Sequence, residues 1–259
     1  MPSIVLVQEG LQVFLLILTR IGAMLTTAPF WSSRTISPQV KIFFSLLLSL
    51  ALLPMVQEQT PPITWGLPYV LLVVKETVFG LLLGVTSLIL FHAIQAAGQI
   101  IDTQMGFGMV NVLDPQSGMQ VPLLGNFFYL FATMLFLLSD GHHYLLMALT
   151  RSFRLIPPGT LSFPVSLWSN LGGLFTQILA FALQIALPVA GVLFLTDVAL
   201  GIVARTVPQM NVFVLGIPVK ILVGMGTILV TLPLFATVLR LLFQQIFANL
   251  ELLLRAMGY

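Results

Sequence analysis

Cysteine is absent from this sequence of 259 residues, and charged residues make up only 7% of it. Without cysteine, disulfide bonds, thiol catalysis and cysteine-based metal sites are excluded. Soluble domains carry about 25% charged residues, so the scarcity of charge excludes an ordinary soluble globular protein. The formal net charge of +2 is small and gives no support to nucleic-acid binding.

The short motifs of several enzyme classes are missing as well. No GxxxxGK[ST] P-loop is present, and neither GxSxG nor HExxH occurs. We therefore expect a protein that is not an enzyme and holds no cofactor, and that draws any transport energy from a partner or from the membrane potential. The N-terminal region contains Glu9 and no positively charged stretch, so a cleaved secretory signal is not expected.

Hydrophobic residues make up 58% of the sequence and form long runs without charge. Residues 77–101, 115–139 and 155–196 contain no Asp, Glu, Lys or Arg. A membrane-spanning helix needs about 20 largely apolar residues, so each of these runs is long enough to cross a bilayer. The apolar runs, read against proline, glycine and charge, predict an all-α membrane protein of about six helical segments. These segments are approximately residues 4–30, 39–56, 67–104, 122–150, 165–206 and 214–257.

Several of these segments are too long or too interrupted to be straight membrane-spanning helices. The third would run for about 57 Å, against a hydrocarbon core of about 30 Å. Pro188 lies inside the fifth segment, and Pro218 and Pro233 lie inside the sixth. We expect kinked or broken helices with parts that project beyond the bilayer, and the alternative is tilt with ordinary transmembrane prolines. We assign residues 1–259 to a single domain.

A stripe of polar residues near the end of the third segment consists of His92, Gln95, Gln99 and Asp102. Their spacing places them on one face of a helix. Polar side chains avoid lipid, so this face is expected to contact another helix or a watery conduit. Contact between helices and lining of a passage both stay open as interpretations.

The connector that follows this stripe, Gln104 to Met119, is rich in glycine and methionine. Glycine permits a left-handed backbone, Asp-Pro favours a turn, and flexible methionine side chains can seal against irregular surfaces. This composition suits a plug or gasket better than a catalytic site, and a buried connector without a gating role is the alternative. The predicted plug residues are Met105, Gly106, Phe107, Gly108, Met109, Val110, Asn111, Asp114, Pro115 and Met119.

Charged residues flank a proline-bracketed break between the fifth and sixth segments. Asp197 and Arg205 precede the break, and Lys220 follows it. Asp197 and Arg205 would lie about 12 Å apart along a helix, which is too far for a direct ion pair. Each therefore needs another partner, and the candidates are Lys75, Glu76, Lys220 and a neighbouring subunit. Intramembrane charges are functional candidates by default, so a proton relay is a second interpretation.

Asp140, His142 and His143 do not predict a metal site. Neighbouring histidines on a helix point about 100° apart, so one ion cannot easily bind both. The sequence has no cysteine and few carboxylates, so zinc binding is not expected and no residue is assigned to a metal.

Short motifs occur in order along nearly the whole chain. They are Arg20-Ile21, Ala28-Pro29-Phe30, Pro38, Lys41, Lys75-Glu76, Gly80, Gly84, Ala97 to Asp102, Gln104-Met105-Gly106, Asp114-Pro115, Gly141-His142-His143, Pro157-Pro158-Gly159 and, most specifically, Pro208, Gln209, Asn211 and Phe213 with Gly216, Pro218 and Lys220. Each motif alone is weakly specific, whereas their order and combined extent are strongly specific. Together they resemble the FliR family of bacterial export-gate proteins. The injectisome counterparts share the Pro-Gln-X-Asn-X-Phe core, while the Gly-His-His motif and Gly216 favour the flagellar branch.

The resemblance implies a structural subunit of the flagellar type III export gate, in the basal body at the bacterial inner (cytoplasmic) membrane. It implies FliP, FliQ and FlhB as partners, with other basal-body and export-apparatus proteins, membrane lipid and unfolded export substrates. Members of the family form a helical hetero-oligomer of broken helices, and the connector after the third segment is similar to their plug. The alternatives are an injectisome homologue and a stand-alone ion-coupled secondary transporter, which the buried Asp197 and Arg205 motivate.

Overall fold

The computed structural model describes residues 2–108, 122–209 and 211–258, with side chains except at 2–7, 165–171, 212–213 and 258. This part of the chain contains helices and no strand, which confirms the all-α prediction. Five of the six predicted segments correspond to single helices whose ends lie within a few residues of the predicted ones. The helices are α1 (Pro2–Thr27), α2 (Pro38–Gln57), α3 (Leu67–Met105), α4 (Leu123–Leu138), α5 (Gly141–Leu155), α6 (Val165–Thr206) and α7 (Val212–Gly258).

Five helical stretches are long and apolar enough to cross a membrane, and α4 with α5 make a sixth if that bent pair is one span. The chain is therefore an all-α membrane protein, as predicted. The five stretches are Gln8–Thr27, Pro38–Gln57, Leu67–Met105, Gly172–Thr206 and Val214–Met257.

The prediction of one helix over residues 122–150 is wrong, because the chain bends by 69° between α4 and α5. Asp140 adopts φ 57° and ψ 23°, a left-handed conformation that a continuing helix cannot contain. Gly141 follows, and a Cβ there would collide with the ring of Phe136, so only glycine allows this close turn. The Asp-Gly dipeptide is the sequence signal for the turn, and the long apolar run around it conceals that signal.

Helices α6 and α7 continue through their prolines. Pro188 lies inside α6, and Pro218 and Pro233 lie inside α7. Each proline removes one hydrogen bond to the residue four positions earlier, a loss that transmembrane helices tolerate where neighbouring groups satisfy the freed carbonyl. The expected breaks at these prolines are thus not observed. The great length of α6 and α7, 42 and 47 residues, agrees with helices that extend beyond a bilayer.

The chain divides into two compact units that interleave along the sequence. Unit 1 comprises Met1–Ile89, Phe136–Phe175 and Phe243–Tyr259, and unit 2 comprises Leu90–Leu135 and Thr176–Leu242. Several helices contribute one segment to each unit, which is why the sequence shows no linker between them. The assignment of a single domain stays a prediction.

In unit 1, α1 and the first half of α3 are in close contact because α3 carries glycines at the interface. A Cβ on Gly80 would collide with the backbone of Arg20, and a Cβ on Gly84 would collide with the side chain of Thr27. Four residues separate the two glycines, so both face α1 on successive turns. This GxxxG pair brings the two helices to backbone contact.

Candidate functional site

The end of α3 and the start of α4 meet at the base of the predicted plug connector, in unit 2. Asp102 accepts hydrogen bonds from the N–H groups of Leu124 at 3.1 Å and Gly125 at 3.3 Å. These are the second and third residues of α4, the positions that a helix-capping side chain normally serves. Pro122, which precedes α4, has no side chain that can accept a hydrogen bond. Asp102 therefore caps α4 from 22 residues earlier in the chain.

Two glycines place the Asp102 carboxylate at this helix end. A Cβ on Gly98 would collide with the backbone of Gly125, and a Cβ on Gly125 would lie 3.0 Å from the carbonyl oxygen of Gln95. Backbone contact of this kind is open only to residues without a side chain. Gly98 and Asp102 lie one turn apart on the same face of α3, so the glycine contact brings the carboxylate to the first turn of α4.

Helix α3 ends in a glycine cap at the start of the connector. The N–H of Phe107 donates to the carbonyl of Asp102 at 3.1 Å, and the N–H of Gly106 donates to that of Thr103 at 3.2 Å. Gly106 adopts φ 89°, the left-handed conformation that such a helix end requires. Asp102 thus takes part in both helix ends, with its carbonyl at the end of α3 and its carboxylate at the start of α4.

Helix α7 holds the same end of α3 from another side. Met105 is fully buried, and a Cβ on Gly224 would lie 2.8 Å from its Cε and 3.0 Å from its Cγ. A Cβ on Gly106 would lie 3.7 Å from the side chain of Ile217. The connector therefore leaves α3 from a fixed point. Among the predicted plug residues, Phe107 is half-buried and Gly108 exposed, and Met109, Val110, Asn111, Asp114, Pro115 and Met119 lie outside the described residues.

The four residues of the predicted polar face of α3 differ in burial. Asp102 is buried and contacts α4, as the interpretation of contact between helices requires. Gln95 is half-buried, whereas His92 and Gln99 are exposed. Lining of a passage by the two exposed residues stays a prediction.

The α6–α7 hairpin contains an ion pair between Asp197 and Lys220, with 2.6 Å between Oδ1 and Nζ. The Lys220 side chain is 19% exposed and that of Asp197 is 42% exposed. Close by, a Cβ on Gly216 would lie 3.4 Å from the side chain of Leu200, which is ordinary van der Waals contact between the two helices. Lys220, one of the predicted candidates, is therefore the partner of Asp197.

The other candidate partners of these intramembrane charges are engaged elsewhere. Lys75 donates to the carbonyl of Leu161 at 3.4 Å, and Glu76 pairs with Arg20. Arg205 is exposed and makes no ion pair with any residue that the structure describes. A chain of titratable groups through the hairpin, as a proton relay needs, is not formed by these residues.

The proline-bracketed motif forms the turn between α6 and α7. Oδ1 of Asn211 accepts a hydrogen bond from the N–H of Val214 at 3.3 Å, so this asparagine caps the start of α7. The structure describes neither the Phe213 side chain nor Met210. The other motif side chains, Pro208, Gln209 and Pro218, are exposed.

Unit 1 contains a buried charge cluster that is not among the predicted site residues. Nε of Arg20 donates to Oε2 of Glu76 at 2.6 Å, and the two side chains are 0% and 1% exposed. Arg20 also donates to the Ser152 hydroxyl at 3.3 Å and the Ile156 carbonyl at 3.0 Å, while its guanidinium lies 4.2 Å from the ring centre of Phe153. A buried ion pair is tolerated only where further hydrogen bonds satisfy it. The sequence indicates this cluster only by one arginine in the first apolar segment and one glutamate in the third.

The side chains of Asp140, His142 and His143 lie closer together than expected for neighbouring positions on a helix. The two imidazole centres are 4.3 Å apart, and one potential ligand atom from each of the three residues lies within 4.8 Å of the others. The prediction that the two imidazoles point well apart is therefore wrong. The side chains of Asp140 and His143 are nevertheless mostly exposed, and the cluster lies at the N-terminus of α5, where the helix dipole disfavours a cation. The absence of a metal site stays a prediction on these chemical grounds.

Nearly the whole chain is similar to known proteins. Residues 11–246 match the sequence model of the family described as bacterial export proteins, family 1. The chain is 37% identical over 252 residues to the flagellar biosynthetic protein FliR of Bacillus subtilis (strain 168), covering 95% of each protein. It is 30% identical over 230 residues to FliR of Escherichia coli (strain K12), covering 89% of this chain and 88% of that protein.

A relative with a different name matches as well. The chain is 31% identical over 227 residues to the surface presentation of antigens protein SpaR of Shigella sonnei, covering 86% of this chain and 87% of that protein. The motifs that suggested the resemblance thus belong to similarity over nearly the full length. This chain is a member of the FliR family of bacterial export proteins.

Proposed function

We propose that this chain is a structural, non-enzymatic subunit of the flagellar type III protein export gate. With FliP and FliQ, and near FlhB, it forms the channel that conducts unfolded flagellar proteins across the bacterial inner membrane. Its family membership and its FliR relatives support this assignment. The apolar helices support a place in the membrane.

The length of the apolar helices is the observation that carries the proposal. The apolar stretch of α7, Val214–Met257, has 44 residues. At about 1.5 Å per residue it spans about 66 Å, and fitting it into a hydrocarbon core of about 30 Å would take a tilt of roughly 60°, beyond the usual range of about 0–40°. Its exposed apolar side chains run from Val214 to Leu252. Lipid covers only part of this surface, so helices of neighbouring subunits must cover the remainder.

Purification of the assembled complex tests this proposal. The tagged chain is co-expressed with FliP and FliQ, solubilised in mild detergent and purified, and the reciprocal experiment carries the tag on FliP. We expect both purifications to yield the same complex of defined mass. A stable, monodisperse single chain that binds neither companion would contradict the proposal.

We also propose that the connector from Met105 to Met119 closes the conduit at rest. Its sequence supports this role, and so do the contacts at its base, where Asp102, Met105 and Gly106 fix the point from which it leaves α3. A sealing segment needs such a fixed base, because a loosely held one would not return to the same position.

Replacement of residues 109–119 by a glycine–serine segment of equal length tests the sealing role. This change keeps the contacts at the base and removes the apolar composition, so we expect higher ion conductance through the assembled gate. The matched control is the same type of replacement in the connector between α2 and α3, at residues 58–63, which should leave conductance unchanged. Equal conductance of the two variants would refute the role.

The structure weakens one reason for the rival hypothesis of a stand-alone ion-coupled transporter. Asp197 is neutralised by Lys220 within the same hairpin, and Arg205 is exposed. Gradient-driven uptake by the purified chain in liposomes, without other subunits, would favour the transporter over the export gate.

A further inference from the structure

We infer that the Asp197–Lys220 ion pair is a positioning element for the base of the connector. The pair fixes α7 to α6 on the side of α7 that contacts the end of α3. Loss of the pair therefore loosens the contact between Met105 and Gly224. The coupling between these contacts stands on the described residues of unit 2. Its consequence for the gate rests on the proposed function.

The contacts concerned lie on consecutive turns of α7. Ile217 faces Gly106, Lys220 pairs with Asp197, and Gly224 faces Met105. Residues at positions i, i+3 and i+7 of a helix lie on the same side. The ion pair therefore lies one turn after the first contact with the end of α3 and one turn before the second. Two features that the sequence presents separately, the charged motif and the connector, meet on this side of α7.

The ion pair is the polar contact on this side of α7 among the described residues. The contact at Gly224 is a flexible methionine side chain lying on a residue with no side chain of its own, so it depends on how closely α7 approaches. Lys220 is mostly buried, and an unpaired ammonium group in such surroundings is costly. Without Asp197 the ammonium group of Lys220 would turn towards water, as long basic side chains do, and α7 would lose this link to α6.

Cysteine cross-linking measures this contact directly. The chain contains no cysteine, so Met105→Cys with Gly224→Cys introduces the only two. A Cβ on Gly224 lies 3.0 Å from Cγ of Met105, the position that a cysteine sulfur would take. That separation is close to what an S–S bond of about 2.05 Å imposes between one sulfur and the opposite Cβ. We expect rapid disulfide formation under mild oxidation.

Variants of the ion pair are compared in this two-cysteine background within the assembled complex. We expect Asp197→Asn and Lys220→Met each to slow cross-linking by about tenfold, within the range for coupling between residues that share a network. The double reversal Asp197→Lys with Lys220→Asp should restore the rate. The control Arg240→Met removes an exposed cation from α7 and should leave the rate unchanged. Single variants that cross-link at the original rate, or a double reversal as slow as the single variants, would overturn the inference.

Ion conductance of the same complexes separates this inference from the proposed function. Slower cross-linking with raised conductance supports both. Slower cross-linking with unchanged conductance supports the coupling and contradicts the gate. Unchanged cross-linking overturns the coupling whatever the conductance. If a single variant fails to accumulate, the double reversal decides: accumulation with cross-linking supports the pair, and accumulation without cross-linking overturns it.

Discussion

At the scale of single residues, two carboxylates in apolar surroundings are held in different ways. Glu76 is paired with Arg20, yet its second oxygen, Oε1, is buried without a hydrogen-bond partner among the described residues. Asp102 pairs with no cation among the described residues, and both of its oxygens accept backbone N–H bonds at the positive end of a helix. The first arrangement joins three helices of unit 1 through a salt bridge, and the second joins two helix ends of unit 2 through a cap.

Removal of one partner from the Arg20–Glu76 pair should destabilise the protein strongly. We expect Arg20→Met alone or Glu76→Leu alone to cost about 3–5 kcal/mol, because each leaves an uncompensated buried charge. The double variant should recover most of this loss, since an apolar pair also removes the unpartnered Oε1. Thermal unfolding of the purified protein in detergent measures the effect. A double variant less stable than both single variants would show that the charges themselves are needed.

Asp102 should act on the first turn of α4. We expect Asp102→Ala to expose the amides of Leu124 and Gly125 to faster hydrogen exchange, at a cost of about 1–2 kcal/mol for a lost cap. Asp102→Asn keeps one acceptor oxygen and should show a smaller effect. The amides in the middle of α4 serve as the internal reference. Equal exchange in all three proteins would contradict the capping role.

At the scale of elements, apolar runs and breakers in the sequence predict the helices well, because a bilayer requires long apolar helices whatever else the protein does. The turn at Asp140 was missed, since a two-residue break hardly interrupts an apolar run. Contacts between distant residues were not predictable in the same way. Arg20 and Glu76 are 56 residues apart, and nothing in either segment indicates the other as partner. Lys220 could be named for Asp197 only as one of several candidates, because the sequence shows charges and not the crossing of helices.

Helix glycines should differ in their tolerance of a side chain according to what lies opposite. Gly98→Ala would force α3 away from the backbone of Gly125, and we expect a loss of several kcal/mol together with weakened capping by Asp102. The matched control is Gly226→Ala in α7, where nothing lies within 4 Å of the added Cβ and alanine should be neutral or stabilise by up to about 1 kcal/mol. Unfolding temperatures of the two variants test this, and similar values would contradict the close contact.

At the scale of the whole molecule, helix length and charge distribution support the proposal that the chain is a subunit of a larger assembly. Its longest helices exceed the bilayer and expose apolar side chains along most of their length. Its described charges are concentrated at internal contacts such as Arg20–Glu76 and Asp197–Lys220, and at exposed ends such as the Arg255–Glu251 pair. The surface left for neighbours is therefore mostly apolar. Lipid covers part of that surface, and the proposed neighbouring subunits would cover the remainder.

The choice between a flagellar and an injectisome role can be tested with this chain in a cell. The chain resembles FliR of Bacillus subtilis and SpaR of Shigella sonnei over nearly its full length, with 37% and 31% identity. Because the proposed gate subunit must fit its neighbours along whole helices, the branch to which the chain belongs should decide which apparatus accepts it. We expect expression of this chain in a Bacillus subtilis strain lacking FliR to restore part of the swimming motility, and expression in a Shigella strain lacking SpaR to restore no secretion. The Asp102→Ala variant, produced at equal level, should restore less motility than the unaltered chain, since the base of its connector is loosened. Restored secretion without restored motility would place the chain in the injectisome branch.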